Sequence, residues 1–148
     1  MYKTSRQETP FDPTIPERPG WEGMHVHWLA DRDHGQTETT VFNVTEFPAN
    51  RWHELHRHPH AEEYFYVLAG GGLHLTDGEP VRLTKGDLVF VPKGEWHGFA
   101  NDTDDPTLAI TVMGGVAHYG DAGYEVHPAQ SAMGENGADA AKLPERGE

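Results

Sequence analysis

The 148-residue sequence contains no cysteine, which excludes disulfides and every thiolate metal site and leaves the redox compartment open. It is also poor in positive charge: 11 Lys and Arg against 24 Asp and Glu give a formal charge of -13. Nucleic acids and anionic membranes are bound mainly through clustered Lys and Arg, so neither is an expected partner. No stretch approaches the roughly 18 apolar residues of a membrane span, and the N-terminus lacks the apolar run of a signal peptide. These absences make a soluble, cytoplasmic protein the expectation. Helical periodicity is missing as well, with no convincing helix beyond a turn or two. With 36% hydrophobic residues, the chain is long enough for one core and too short for two comfortable domains.

What is present is a series of short alternating or apolar runs rich in β-branched and aromatic residues, at 24–29, 40–47, 63–70, 73–76, 81–84, 88–91 and 107–113. Gly and Pro turns separate them, with Asp77-Gly78 a strong hairpin signal. Many short strands without strand-helix-strand alternation predict an all-β antiparallel sandwich or barrel over residues 23–127. Before it, Pro10, Pro13, Pro16 and Pro19 recur at a spacing of three, which forbids a helix and predicts an extended N-terminal arm over residues 1–22. The arm is either a loose end or a strap across a neighbouring subunit that buries Phe11, Ile15 and Trp21. Residues 128–148, rich in Ala, Gly and Glu, are expected to form a disordered tail.

The chemistry concentrates in residues 56–63, His-Arg-His-Pro-His-Ala-Glu-Glu. His56 and His58, two apart on a strand, point to one face and can converge on one ion. Glu63 follows His58 by five, an odd separation, and needs a bend to join them; Pro59 supplies one. Glu62 falls one off this register and should face away, and His60 reads as exposed or as support behind the ligands; both are bystanders, with His58, His60 and Glu63 an alternative set. A second His-x-His pair, His25 and His27, has no matching carboxylate or third His and reads as a solvated strand face. Alternation beyond Glu63 places Phe65 and Val67 on its side, predicting an apolar lining. Tyr119 and Tyr124 are available to cover an opening.

His56, His58, Glu63 and Gly70 fit the pattern HxHx4Ex6G, with Asn50 where a leading Gly is usual. About fifteen residues later, Gly86, Pro92, Gly94, His97 and Asn101 fit Gx5PxGx2Hx3N. On these two motifs the chain resembles the cupins, small jelly-roll barrels also described as a double-stranded β-helix; the match covers roughly residues 40–115. The resemblance implies that His56, His58, Glu63 and His97 are ligands of one divalent transition metal, that the protein is a homodimer and that it acts on a small molecule. Gly86, Pro92 and Gly94 would then shape a corner and Asn101 would anchor a loop. So many nitrogen donors disfavour Ca2+ and Mg2+. Fe2+ or Mn2+ is favoured, with Ni2+, Co2+, Cu2+ and Zn2+ open, and an octahedral ion would keep two positions free. The expected activity is a non-haem Fe/Mn (di)oxygenase acting on a small enol, phenol or diketone, with Glu63 also accepting the substrate proton. The alternatives are a redox-silent isomerase or lyase and a non-catalytic module that binds a metal or small ligand.

Overall fold

The computed structural model describes residues 1–131. The expected tail lies outside the described residues from 132 onward, and its first part, Pro128–Ser131, is a single helical turn, α1. Ten strands precede it: β1 (His25–Ala30), β2 (Thr40–Phe47), β3 (Arg51–Arg57), β4 (Glu62–Ala69), β5 (Gly71–Thr76), β6 (Val81–Thr84), β7 (Leu88–Val91), β8 (His97–Asn101), β9 (Thr107–Gly114) and β10 (Glu125–Val126). They form two antiparallel sheets of five strands, in the orders β1-β2-β9-β4-β7 and β10-β3-β8-β5-β6. The all-β jelly roll expected from the sequence is therefore the fold, and each run read as a strand overlaps one, with Met24 and Gly70 falling just outside β1 and β4.

Alternation decides which side chains fill the space between the sheets. In β9, Thr107, Ala109, Thr111 and Met113 are buried while the residues between them are half-exposed. In β4, Glu63, Phe65 and Val67 turn inward while Tyr64 and Tyr66 turn out. Phe47, Phe65 and Phe99 meet at the centre with ring centroids 4.7–5.7 Å apart, as tilted aromatic pairs prefer. Beside them Gly72 is required by close approach. A Cβ there would lie 2.5 Å from the Ala100 carbonyl oxygen and from the Phe99 ring. Asn50, at the place of the leading Gly, has φ +54°, the left-handed conformation that Asn tolerates better than most residues.

The proline arm is non-helical, as its sequence demands, but it coils instead of extending. Amides of Ile15, Arg18, Trp21 and Met24 each bond the carbonyl three residues earlier. Pro13, Pro16 and Pro19 each stand second in one of the first three of these turns, where their fixed φ is favourable. Gly20, with φ +81°, stands third in the Arg18–Trp21 turn, a backbone position that Pro-Gly suits. Compacting the arm brings Ile15, 1% exposed, and Trp21, 6% exposed, into this chain's own core. Phe11 instead packs flat on His25 at 4.1 Å. The loose end and the strap across a neighbour thus give way to an arm folded onto its own barrel.

Candidate metal centre

The site forms where two strand corners meet. His56 is the penultimate residue of β3 and stands directly opposite His97, the first residue of β8. His58 follows just past the end of β3, and the chain turns at Pro59 to bring Glu63 inward on β4. The second corner is tied to the first, because the Gly94 amide donates to the His58 carbonyl at 2.9 Å. His56, His58, Glu63 and His97 are each no more than 7% exposed.

Each histidine is held in one orientation by the backbone. The Nδ1 atoms of His56, His58 and His97 lie 2.7, 2.6 and 3.0 Å from the carbonyl oxygens of Glu54, Gly123 and Glu95. A carbonyl accepts and cannot donate, so each Nδ1 carries the proton and each Nε2 presents a lone pair. The three rings have ligating atoms within 4.8 Å of one another, the only such group among the described residues. Glu63 Oε2 lies 3.3 Å from His58 Nε2 and 3.4 Å from His97 Nε2.

No ion is present, so the fit must be judged from the donors. A coordination sphere of 2.0–2.1 Å places neighbouring donors roughly 3.0–3.4 Å apart, which the Glu63 distances match. His97 Nε2 is buried and has no hydrogen-bond partner among the described residues: as a lone pair it cannot donate to the Glu63 carboxylate 3.4 Å away. An unmet lone pair in the interior is costly, and a cation bound by the four side chains would meet it. The donor set fits a divalent transition metal.

Charge is arranged accordingly. Burial alone would raise the Glu63 pKa, but His97 and His58 outweigh it and hold the carboxyl well below the usual range. Burial first, then crowding by His53, His97 and His58, keeps the His56 pKa far below that of free imidazole. For His97, burial lowers the pKa but the Glu63 carboxylate prevails and the net shift is upward.

The surrounding cavity leaves about 40 Å³ of free space, room for about three waters. Trp21, Met24, Val26, Phe47, Phe65 and Phe99 give it an apolar wall, while Asn43, Thr45 and Thr111 add polar groups from the first sheet. Among the described residues, no Lys or Arg lines it. Phe65 lines the cavity as expected; Val67 is fully buried but lies outside the lining. His60 is exposed, and Glu62 takes the Tyr64 hydroxyl, so both stand apart from the cavity. Tyr124 covers the centre by stacking on His56 at 4.6 Å, with its hydroxyl on Glu54. Tyr119 sits further out, taking a hydrogen bond from Arg18.

Two cavity residues are not signalled by the motifs: His53 and His74. Burial pushes both imidazoles down to about 4, so both are neutral near pH 7. They flank Phe99 in the second sheet, His53 from β3 and His74 from β5. His53 is three residues before His56, and simple alternation would send it outward. A register shift between the two turns it in. His74 was open to detection, because strand phase places it on the face of Gly72.

The cupin domain family model matches residues 43–113. The dimethylsulfoniopropionate lyase DddQ of Ruegeria pomeroyi is 38% identical over 73 residues, covering 49% of this chain and 35% of that protein. A gentisate 1,2-dioxygenase of Ralstonia is 32% identical over 78 residues, or 51% of this chain and 21% of that protein. The chain thus spans about a third and a fifth of these two relatives. Among solved structures, the polyketide cyclase RemF of Streptomyces resistomycificus superposes with a TM-score of 0.68 at 24% identity, over 77% of this chain and 79% of that one. Both motifs in register, the paired antiparallel sheets and the matched domain agree: residues 43–113 of this chain form a cupin domain.

Proposed function

We propose that the protein is a metal-dependent enzyme in which His56, His58, His97 and Glu63 hold one divalent transition ion, and that it acts as a non-haem Fe/Mn-type dioxygenase on a small enol, phenol or diketone. The observation that carries this reading is the convergence of three tautomer-fixed imidazoles and one ionised carboxylate in a small apolar cavity that no described Lys or Arg lines. An ion held there supplies Lewis acidity and, as iron or manganese, one-electron chemistry with dioxygen. The chain's own part is to bind, orient and deprotonate. A substrate chelating through one or two oxygens needs no Arg or Lys clamp, and none of the described residues provides one in the cavity. Phe65, Phe47 and Trp21 favour a carbon skeleton over a phosphorylated one and exclude water. Glu63, kept ionised by His97 and His58, is the group positioned to accept a substrate hydroxyl proton at Oε2.

A redox-silent lyase or isomerase is the second reading. It is supported by His53 and His74, two neutral imidazoles beyond the ligand set that suit proton abstraction, and by similarity to a lyase. Oxygen consumption separates the two readings. Turnover of a small enol or phenol with stoichiometric oxygen uptake supports the dioxygenase; undiminished turnover without oxygen, with Zn2+ in the site, contradicts it. A homodimer, acting on a small molecule in the cytoplasm, completes the proposal.

A further inference from the structure

His56, His58 and His97 each give a proton to a backbone carbonyl and each present Nε2 to the ion site. A fourth histidine repeats the arrangement outside that trio. His53 Nδ1 lies 2.9 Å from the carbonyl oxygen of Gly20, so it donates there and Nε2 carries the lone pair. The ring is 7% exposed and the residue lines the cavity. The Trp21 ring, centroid at 4.2 Å, and the His56 ring, at 4.5 Å, pack against it. Gly20 and Trp21 belong to the proline turn, whose coiling sets the tautomer of a cavity side chain.

On the opposite sheet, the Asn43 carbonyl oxygen accepts the Thr45 hydroxyl at 2.9 Å. Its NH2 group therefore remains the donor on that wall of the cavity. The cavity offers an ion site, a preset acceptor on one sheet and a preset donor on the other.

We propose that His53 is a specificity-determining residue, whose Nε2 accepts a hydrogen bond from a hydroxyl or enol group of the metal-chelating substrate. This rests on the metal-centre reading. An anion at that place would face a lone pair, and an ether would leave the acceptor unmet, so the site selects small hydroxy compounds over their O-methyl counterparts. Asn43 is complementary, donating to a carbonyl or ether oxygen of the same molecule.

The test uses the Co2+-loaded protein titrated with glycolate and with methoxyacetate, two chelators that differ only in the hydroxyl proton and its methyl replacement, followed by visible absorption. The wild type is expected to prefer glycolate. His53→Phe, which keeps the aromatic packing but removes the lone pair, is expected to retain one Co2+ per chain and to lose about tenfold of that preference. His53→Gln, which restores an acceptor, is expected to recover part of it. Equal preference in wild type and His53→Phe at full Co2+ content overturns the role of His53 and leaves the metal centre standing. Absence of Co2+ from the wild type overturns the metal reading and this inference with it.

Discussion

Histidine 97 and asparagine 101 show how one short strand serves both site and fold. His97 opens β8 with a buried, unpartnered Nε2, and Asn101 closes it fully buried. The Asn101 amide donates to the Phe47 and Asp105 carbonyls and accepts from the Thr103 amide and hydroxyl. Replacing Asn101 with Ala would leave these groups unmet in the interior, at a cost of at least about 2 kcal/mol. Chemical denaturation of the variant checks this, with a midpoint near wild type as the contrary result. His56, His58 and Glu63 were legible as a group from their spacing and the bend at Pro59, whereas His97 joined them only through the family resemblance of the second motif. His53 was not, because a bulge changes strand phase without a mark in the sequence. The bystander reading of Glu62 came from the same phase argument, and here no bulge intervenes between Glu62 and Glu63.

At the scale of elements, the proline arm departs most from what its sequence suggested. A spacing of three prolines reads equally as an extended segment or as successive turns, since both use the same φ at proline. Only burial of Ile15 and Trp21 decides between them, and burial is a tertiary property. The arm is thus part of the barrel, and its removal should be felt in the core. Trp21→Ala is expected to cost about 3–5 kcal/mol and lower the thermal midpoint, because it empties one wall of the cavity. An unchanged midpoint would return the arm to the status of a loose end. Packing between β5 and β8 is equally tight at Gly72. Gly72→Ala must displace the Ala100 backbone or the Phe99 ring and is expected to destabilise by about 1–3 kcal/mol or more, read by the same unfolding curves.

For the whole molecule, two sheets of five strands enclose the core, with the candidate metal centre where the corners after β3 and before β8 converge. The fold was legible because nearly every strand carries its own alternation and its own Gly or Pro stop. β10 was not, since two residues carry no period. No helix among the described residues is long and apolar enough to cross a membrane. The homodimer implied by the family resemblance predicts twice the chain mass in light scattering, and a monomer mass would contradict it. The central claim is that four side chains from two corners hold one metal ion, and elemental analysis of protein purified without an affinity tag tests it most directly. The account predicts one transition metal per chain in the wild type, lost in both His97→Ala and Glu63→Ala while the circular dichroism spectrum stays that of a β-barrel. Full metal content in both variants would contradict it.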